Sequence, residues 1–353
     1  MMYSAEPVDL AAAEGILAGL WPDTLSVQND PVGRFKWFYL DNPHGSGVVF
    51  LLTCRNGGGS SEIVGSAGAG PRLFSLDGKA LRACQLVDFA TAKRHRTVFP
   101  ALLLQRTVRA HCKKDFDLLF GFPNTLSEPI FARLGYHKLG TMARFVKVLR
   151  YEPYLRSHLP SPALAAPVGS LLDGASRSVE ALRARRASAD MALEAVQNVD
   201  SRFDDLWEGA HRAFPMLGHR GADFLRWRFL ARPGYRYEIF ALVRKAGREL
   251  RAYGVVQDLE RRAHIADLFG RTETDVSLLL DLLIPEMRRR GFQAVSFHFL
   301  GPDWMRDVLR RHGFRFRDAA QTVFIDLADG FHTEDGTLTD PRAWYLTDGD
   351  RDT

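Results

Sequence analysis

The feature that most constrains this chain is an internal repeat, because a duplicated unit sets the fold before any local element does. Residues 35–45 read FKWFYLDNPHG and residues 224–234 read FLRWRFLARPG. Each is an aromatic-rich helical segment, around Trp37 or Trp227, that runs into Pro43 or Pro233. Proline disfavours helix in the residue before it, so both helices are expected to stop there. A β-rich run follows each, VVFLLT at 48–53 and YEIFALV at 237–243, and then a second strand carrying Gly65 or Gly254. Further on, ACQLVDFAT places Asp88 in a buried strand and AHIADLFG places Asp267 in another. Long amphipathic helices are expected at about 98–113 and 276–290, followed by short apolar strands, FDLLFGF and AVSFHFL. Each copy then has a helix ending in ARLGY or RRHGF, with Gly135 and Gly313 where a left-handed helix cap is wanted. Last strands close the copies around 141–149 and 320–327.

The spacing is nearly constant. Trp37 to Trp227 is 190 residues, Asp88 to Asp267 is 179, and Gly135 to Gly313 is 178. The first copy holds its extra length between the proline and the aspartate, in NGGGSSE (56–62) and a longer connection near 70–81. Loop tips are where duplicated units tolerate such insertions.

The repeat divides the 353 residues into a first copy at 1–150, a linker at 151–188, a second copy at 189–330 and an acidic tail at 331–353. LPSPALAAP (159–167) reads as extended linker, and SRSVEALRARRASA as a solvated charge run or short basic helix, the solvated reading being favoured. The tail carries six Asp or Glu against two Arg and reads as too polar for a core, with Trp344 and Tyr345 as the residues that would pin it. Composition is ordinary for a globular chain, at 46% hydrophobic and 25% charged, which excludes wholesale disorder. A net charge of +5 does not make a nucleic-acid binder, and no DNA partner is expected. Cys54, Cys84 and Cys112 are scattered, which argues against a disulfide framework and for a cytoplasmic setting. The apolar stretch from Leu10 to Leu20 is broken by Glu14 and reads as an amphipathic helix, so neither a signal peptide nor membrane insertion is expected. No nucleophile elbow or phosphate-binding P-loop motif is present, and His211 and His219 have no companion ligands, so no metal site is expected.

The order helix, helix, three strands, long helix, strand, helix, strand resembles the GNAT superfamily of N-acetyltransferases. The most specific stretch is GFPNTLSEPIFARLGY (121–136), where Asn124, Phe131, Gly135 and Tyr136 stand in the family's register. The whole chain resembles bacterial tandem-GNAT proteins, down to the spacing of Trp344, Thr347, Asp350 and Asp352. The resemblance implies an α/β fold with a mixed sheet, in two tandem GNAT-like domains. It implies acetyl-CoA or another acyl-CoA as co-substrate, and an amine on a small molecule or peptide as acceptor. By position, it implies cofactor contacts from Phe89 and Thr91, from the loop Arg94, His95, Arg96, Thr97, Val98 and Phe99, and from Asn124. A helix N-terminus suits the pyrophosphate because its amides point at the anion. Thr97 and Phe99 stand where the family has small residues, and the basic run Lys93 to Arg96 offers charge in compensation. The second copy reads FGRTETDVS there, with Glu273 and Asp275 opposing an anion and Pro302 in place of Asn124, so it is expected to bind no cofactor.

Acyl transfer to an amine needs a proton acceptor and a stabilised oxyanion. Asp88 is the candidate general base, the alternative being a buried structural Asp, which Asp267 suggests. Tyr39 and Tyr136 are candidate acceptor-lining residues, with core packing as the alternative for each. The Tyr that often protonates the departing thiolate in this family is Phe131 here and Leu309 in the second copy. The leading reading is an N-acyltransferase working through its first copy. The alternatives are a catalytically degenerate pair acting as a binding or scaffold module, and an aminoacyl-tRNA-dependent transferase.

Overall fold

The computed structural model describes residues 2–24, 30–156, 165–331 and 336–351. The first half runs β1 (Met2–Val8), α1 (Leu10–Thr24), α2 (Pro31–Phe35), β2 (Val48–Arg55), β3 (Ser61–Leu76), β4 (Lys79–Thr91), α3 (Val98–Cys112), β5 (Leu118–Gly121), α4 (Glu128–Arg133) and β6 (His137–Val148). Two helices follow, α5 (Tyr151–Arg156) and α6 (Ala165–Ala187). The second half runs β7 (Met191–Val196), α7 (Arg202–Ala210), β8 (Met216–Gly218), α8 (Ala222–Leu225), β9 (Tyr237–Arg244), β10 (Leu250–Leu259), β11 (Arg262–Gly270), α9 (Glu273–Arg289), β12 (Ala294–Phe299), α10 (Asp303–Arg311) and β13 (Arg315–Leu327). A short strand, β14 (Trp344–Tyr345), lies in the tail. The fold is α/β with one large mixed sheet. No helix among the described residues is long and apolar enough to cross a membrane.

Local chemistry accounts for the repeated elements. Asp30 caps α2 by accepting the Gly33 amide at 2.7 Å, with Pro31 at the first helical position. The aromatic segments FKWFYL and LRWRFL end in matching π-helical turns, Lys36–Leu40 and Arg226–Leu230, and both stop before the prolines. Gly135 and Gly313 have φ of +82° and +84°, the left-handed caps that the sequence calls for. The edge strands β1 and β7 are new: sequence periodicity did not mark them.

The sheet is continuous across both halves in the order β1-β2-β3-β4-β5-β13-β6-β12-β11-β10-β9-β7. The last strands are exchanged. β13 pairs with β5 of the first half, β6 pairs with β12 of the second, and the two pair with each other at the centre. Phe324 of β13 accordingly packs in the first half's core, 5.8 Å from Phe131. Neither half closes its own sheet without a strand from the other.

A second lock joins the two halves. Trp37 and Trp227 stack at 4.9 Å and 13°, and each indole N–H donates to the other's backbone carbonyl at 2.7 Å. These reciprocal bonds satisfy two buried donors in one apolar cluster that spans both halves.

Two expectations about the remaining segments need correction. Residues 165–187 form a helix rather than a solvated run: Glu180 is buried between Lys147 at 3.0 Å and Arg288 at 2.8 Å. Residues 157–164, most of the proposed extended linker, lie outside the described residues. The tail is not too polar for a core. Trp344, Tyr345 and Leu346 are fully buried, and so are Thr347 and Asp350. Its acids are tolerated because arginines meet them: Asp350 accepts from Arg220 at 2.6 Å and from Arg72 at 3.3 Å.

Candidate functional site

Parallel strands β4 and β5 pair from Ala83↔Leu118 to Leu86↔Gly121, and there the ladder ends. β4 continues to Thr91 while the chain after Gly121 turns away, so the two strands part. A bulge marks the place: the β3–β4 register shifts between Ser66↔Ala90 and Gly68↔Val87. Asp88 sits in the bulge at φ +52°, a left-handed conformation that costs energy for any residue but glycine. Its side chain offsets that cost. Arg34 donates to Oδ1 at 2.6 Å and the Tyr39 hydroxyl donates to Oδ2 at 2.7 Å.

The second half repeats this chemistry with different residues. Asp267 accepts from Tyr253 at 2.7 Å, from Thr347 at 2.8 Å and from Arg220 at 3.4 Å. The partner tyrosine comes from β10 here and from the π-helical turn in the first half.

The two clefts differ in what fills them. In the second half the β11–β12 ladder covers Arg262↔Ala294 to Ile265↔Phe297, and the tail occupies the space beyond. Tyr345 donates its hydroxyl to the Leu268 carbonyl. Leu346 exchanges two backbone hydrogen bonds with Leu300, at 2.9 and 3.1 Å. Asp348 Oδ2 meets His264 of β11 at 2.6 Å and His298 of β12 at 2.7 Å. Burial alone would raise the Asp348 carboxyl, but the hydrogen bonds from His264 and His298 hold it well below the usual range. Residues 267–270 are all buried as a result, whereas Phe89 and Ala90 of the first half are half-exposed.

The helix starts differ in the same sense. Thr272 caps α9 by accepting the Asp275 amide at 3.1 Å, and Glu273 and Asp275 fill its first turn. Thr97 offers α3 no side-chain cap, and no acid lies in that first turn. The α3 start is therefore the one that favours an anion.

The candidate residues named from the sequence are placed as follows. Val98 and Phe99 are exposed on the first turn of α3. Arg94 reaches outward to Glu62, and Arg96 donates to the Thr91 carbonyl at 3.0 Å. Thr91 is buried. His95 departs from expectation: its ring is buried, with the Tyr3 hydroxyl 2.9 Å from Nδ1, so it packs on β1. The Asn124 side-chain oxygen accepts the amides of Leu126 and Ser127 at 3.1 and 3.0 Å, which makes it the shaper of the turn into α4. Tyr39 and Tyr136 do not line an open site. Tyr39 is fully buried beneath Asp88, and Tyr136 is a core residue that accepts from Gln105 at 3.3 Å, its hydroxyl pKa raised by burial. Beside them the junction between the halves is packed with apolar side chains, the stacked Trp37 and Trp227 among them.

A conserved protein of unknown function from Enterococcus faecalis V583, described as a probable N-acyltransferase, superposes with a TM-score of 0.63 at 10% identity, over 93% of this chain and 73% of that one. A GCN5-related N-acetyltransferase from Anabaena variabilis ATCC 29413 superposes with a TM-score of 0.62 at 13% identity, over 93% and 73%. The fold is that of the GNAT superfamily. A GCN5-related N-acetyltransferase from Kribbella flavida shares this GNAT architecture with a TM-score of 0.59 at 14% identity, over 93% and 72%. No family model and no curated protein matches the sequence.

One constellation had no signal in the sequence. His264, His298 and Asp348 lie 34 and 50 residues apart in the chain, on β11, β12 and the tail, and the structure gathers them within 4.8 Å. Only the folded tail could reveal it.

Proposed function

We propose that the protein is an acyl-CoA-dependent N-acyltransferase that works through the first half. The observation that carries this reading is the asymmetry of the two clefts: β4 and β5 part over half-exposed residues, whereas the matching space between β11 and β12 is filled by the chain itself. In the proposed complex the free edge of β4 at Phe89 to Thr91 takes the thioester arm in strand fashion. The uncapped amides at the start of α3, around Val98 and Phe99, receive the pyrophosphate, with Arg94 and Arg96 beside it. Acetyl-CoA or a longer acyl-CoA is the donor, and an amine of a small molecule or peptide is the acceptor.

Both oxygens of Asp88 already accept hydrogen bonds, which favours a positioning role over proton acceptance. In this proposal Asp88, Arg34 and Tyr39 hold the bulge open, and the free β4 amides polarise the thioester carbonyl. Phe131 has no proton to give, so the thiolate leaves without a side-chain acid at that position.

The test is calorimetric titration of the full chain with acetyl-CoA and with CoA, followed by thiol release in the presence of an amine panel. Cys54, Cys84 and Cys112 are all buried, so the thiol background is low. Saturable binding of one equivalent that is lost in Phe99→Glu supports the reading. Absence of binding at millimolar ligand overturns it, and binding without amine-dependent thiol release favours the binding-module alternative.

A further inference from the structure

We propose that His264, His298 and Asp348 form a binding site for a divalent transition metal of the zinc class, which fastens the tail across the parted strands of the second half. The proposal goes beyond acyl transfer and does not depend on it.

The geometry is that of a collapsed ligand set. His264 Nε2 and His298 Nδ1 converge on the same oxygen, Asp348 Oδ2, at 2.6 and 2.7 Å. A zinc ion at roughly 2.0–2.2 Å from two imidazole nitrogens and a carboxylate oxygen, in tetrahedral geometry, separates those ligand atoms by about 3.4 Å. Side-chain shifts of less than about 1 Å convert one arrangement into the other. The two imidazoles stand on neighbouring strands whose spacing the sheet fixes, and the third ligand arrives on the tail, so the site exists only when the tail is docked.

The outer contacts have the character that metal ligands need. His264 Nδ1 is 2.9 Å from the buried Ser296 hydroxyl, which orients the ring and aims Nε2 at the centre. The other carboxylate oxygen, Oδ1, accepts from Arg351 at 2.8 Å, which leaves Oδ2 pointing inward. A cavity of about 260 Å³ opens beside the three side chains, which supplies both an entry path and room for a water as fourth ligand. Arginines oppose a cation here: Arg144 and Arg262 line the same cavity as Arg351. Arg144 is neutralised by Asp318 at 2.9 Å, whereas Arg351 shares Asp348 with the ion and Arg262 has no ion pair among the described residues, so the three ligands hold the metal against two positive charges. Two neutral imidazoles with one carboxylate are a donor set that suits zinc, cobalt or nickel rather than calcium or magnesium.

The experiment uses the full chain, stripped of metal with a chelator that is then removed. Titration with Co²⁺ should give visible d–d absorption that saturates at one equivalent, and Zn²⁺ should displace it. Zn²⁺ should also raise the unfolding midpoint of the chain. His298→Ala, at the more exposed ligand, should weaken binding at least 100-fold while leaving the circular dichroism spectrum unchanged. Ser296→Ala, which keeps all three ligands, should weaken it by about 10–100-fold, the range for loss of an outer partner. His137→Ala, on the far end of β6, should leave binding unaltered. No saturable Co²⁺ or Zn²⁺ binding at 100-micromolar metal overturns the proposal and leaves the cluster a hydrogen-bonded clasp. Binding of undiminished strength in His298→Ala overturns it as well, because the ion then sits elsewhere.

Discussion

Asp350 is fully buried between Arg72 and Arg220, whose side chains are 1% and 0% exposed. Asp350→Asn keeps the volume and removes the charge. Arg220 retains Asp267 at 3.3 Å and the Gly218 carbonyl at 2.7 Å. Arg72 loses its only ion pair among the described residues. Its Nε and Nη1 already have no partner, and burial has pushed its pKa down to about 9. What remains is a neutral amide oxygen at position 350 and the Phe224 ring 4.2 Å beneath the guanidinium. Leaving a buried charge without its partner costs about 3–5 kcal/mol. With an unfolding entropy of about 2.1 cal/mol/K per residue over 353 residues, that is a fall of about 4–7 °C in Tm if the chain unfolds as one unit. Guanidinium denaturation and calorimetry measure both quantities. Adding Arg72→Met to Asp350→Asn should recover part of the loss, because the orphaned cation is removed with its cost. A loss below about 1 kcal/mol for Asp350→Asn, or no recovery in the double variant, would refute the reasoning and return the tail to the status of a loose polar appendage.

Two further outcomes follow from the same physics. A β-carbon at Gly68 would lie 1.8 Å from the Tyr39 hydroxyl oxygen and 2.7 Å from its ring carbon Cζ, so Gly68→Ala should cost about 1–3 kcal/mol in denaturation. His44 and His219 face each other at 5.3 Å. Burial, with Arg72 adding to it, lowers His44 to about 3 and His219 to about 4. Between pH 6.5 and about 4 the unfolded chain binds protons on these rings that the folded chain does not. Stability should therefore fall as the pH falls through that window, at up to about 1.4 kcal/mol per pH unit for each ring, and level off below about pH 3. The denaturation midpoint followed against pH measures this, and His44→Gln with His219→Gln should flatten the slope.

Much of the scaffold was legible in the residues because short-range physics writes it. The aromatic segments stop before Pro43 and Pro233, the apolar periodicity places α3 and α9, and Gly135 and Gly313 take the left-handed caps. The paired aspartates were legible too, as acids inside apolar strands. The edge strands β1 and β7 carry no signal in the residues because MYSAEPV and MALEAV do not alternate apolar with polar side chains. Charge counting misread the tail: six acids against two arginines within it says nothing of Arg72 and Arg220, which lie more than 100 residues away and neutralise Asp350. His95, Tyr39 and Tyr136 turn inward because a position in a family pattern does not say which way a side chain points.

The sequence by itself carries one pattern of elements written twice, with an acid in an apolar strand of each and a basic run before the long helix of the first. These are local or periodic properties, and a single strand or helix expresses them without knowing its neighbours. Only the tertiary structure decided that β6 and β13 change places, that Trp37 and Trp227 lock the halves together, and that the tail fills the space beyond β11 and β12 while Phe89 and Ala90 of β4 stay half-exposed. Those outcomes rest on pairings across tens to hundreds of residues, where backbone hydrogen bonds and buried charges find partners that no sequence spacing specifies.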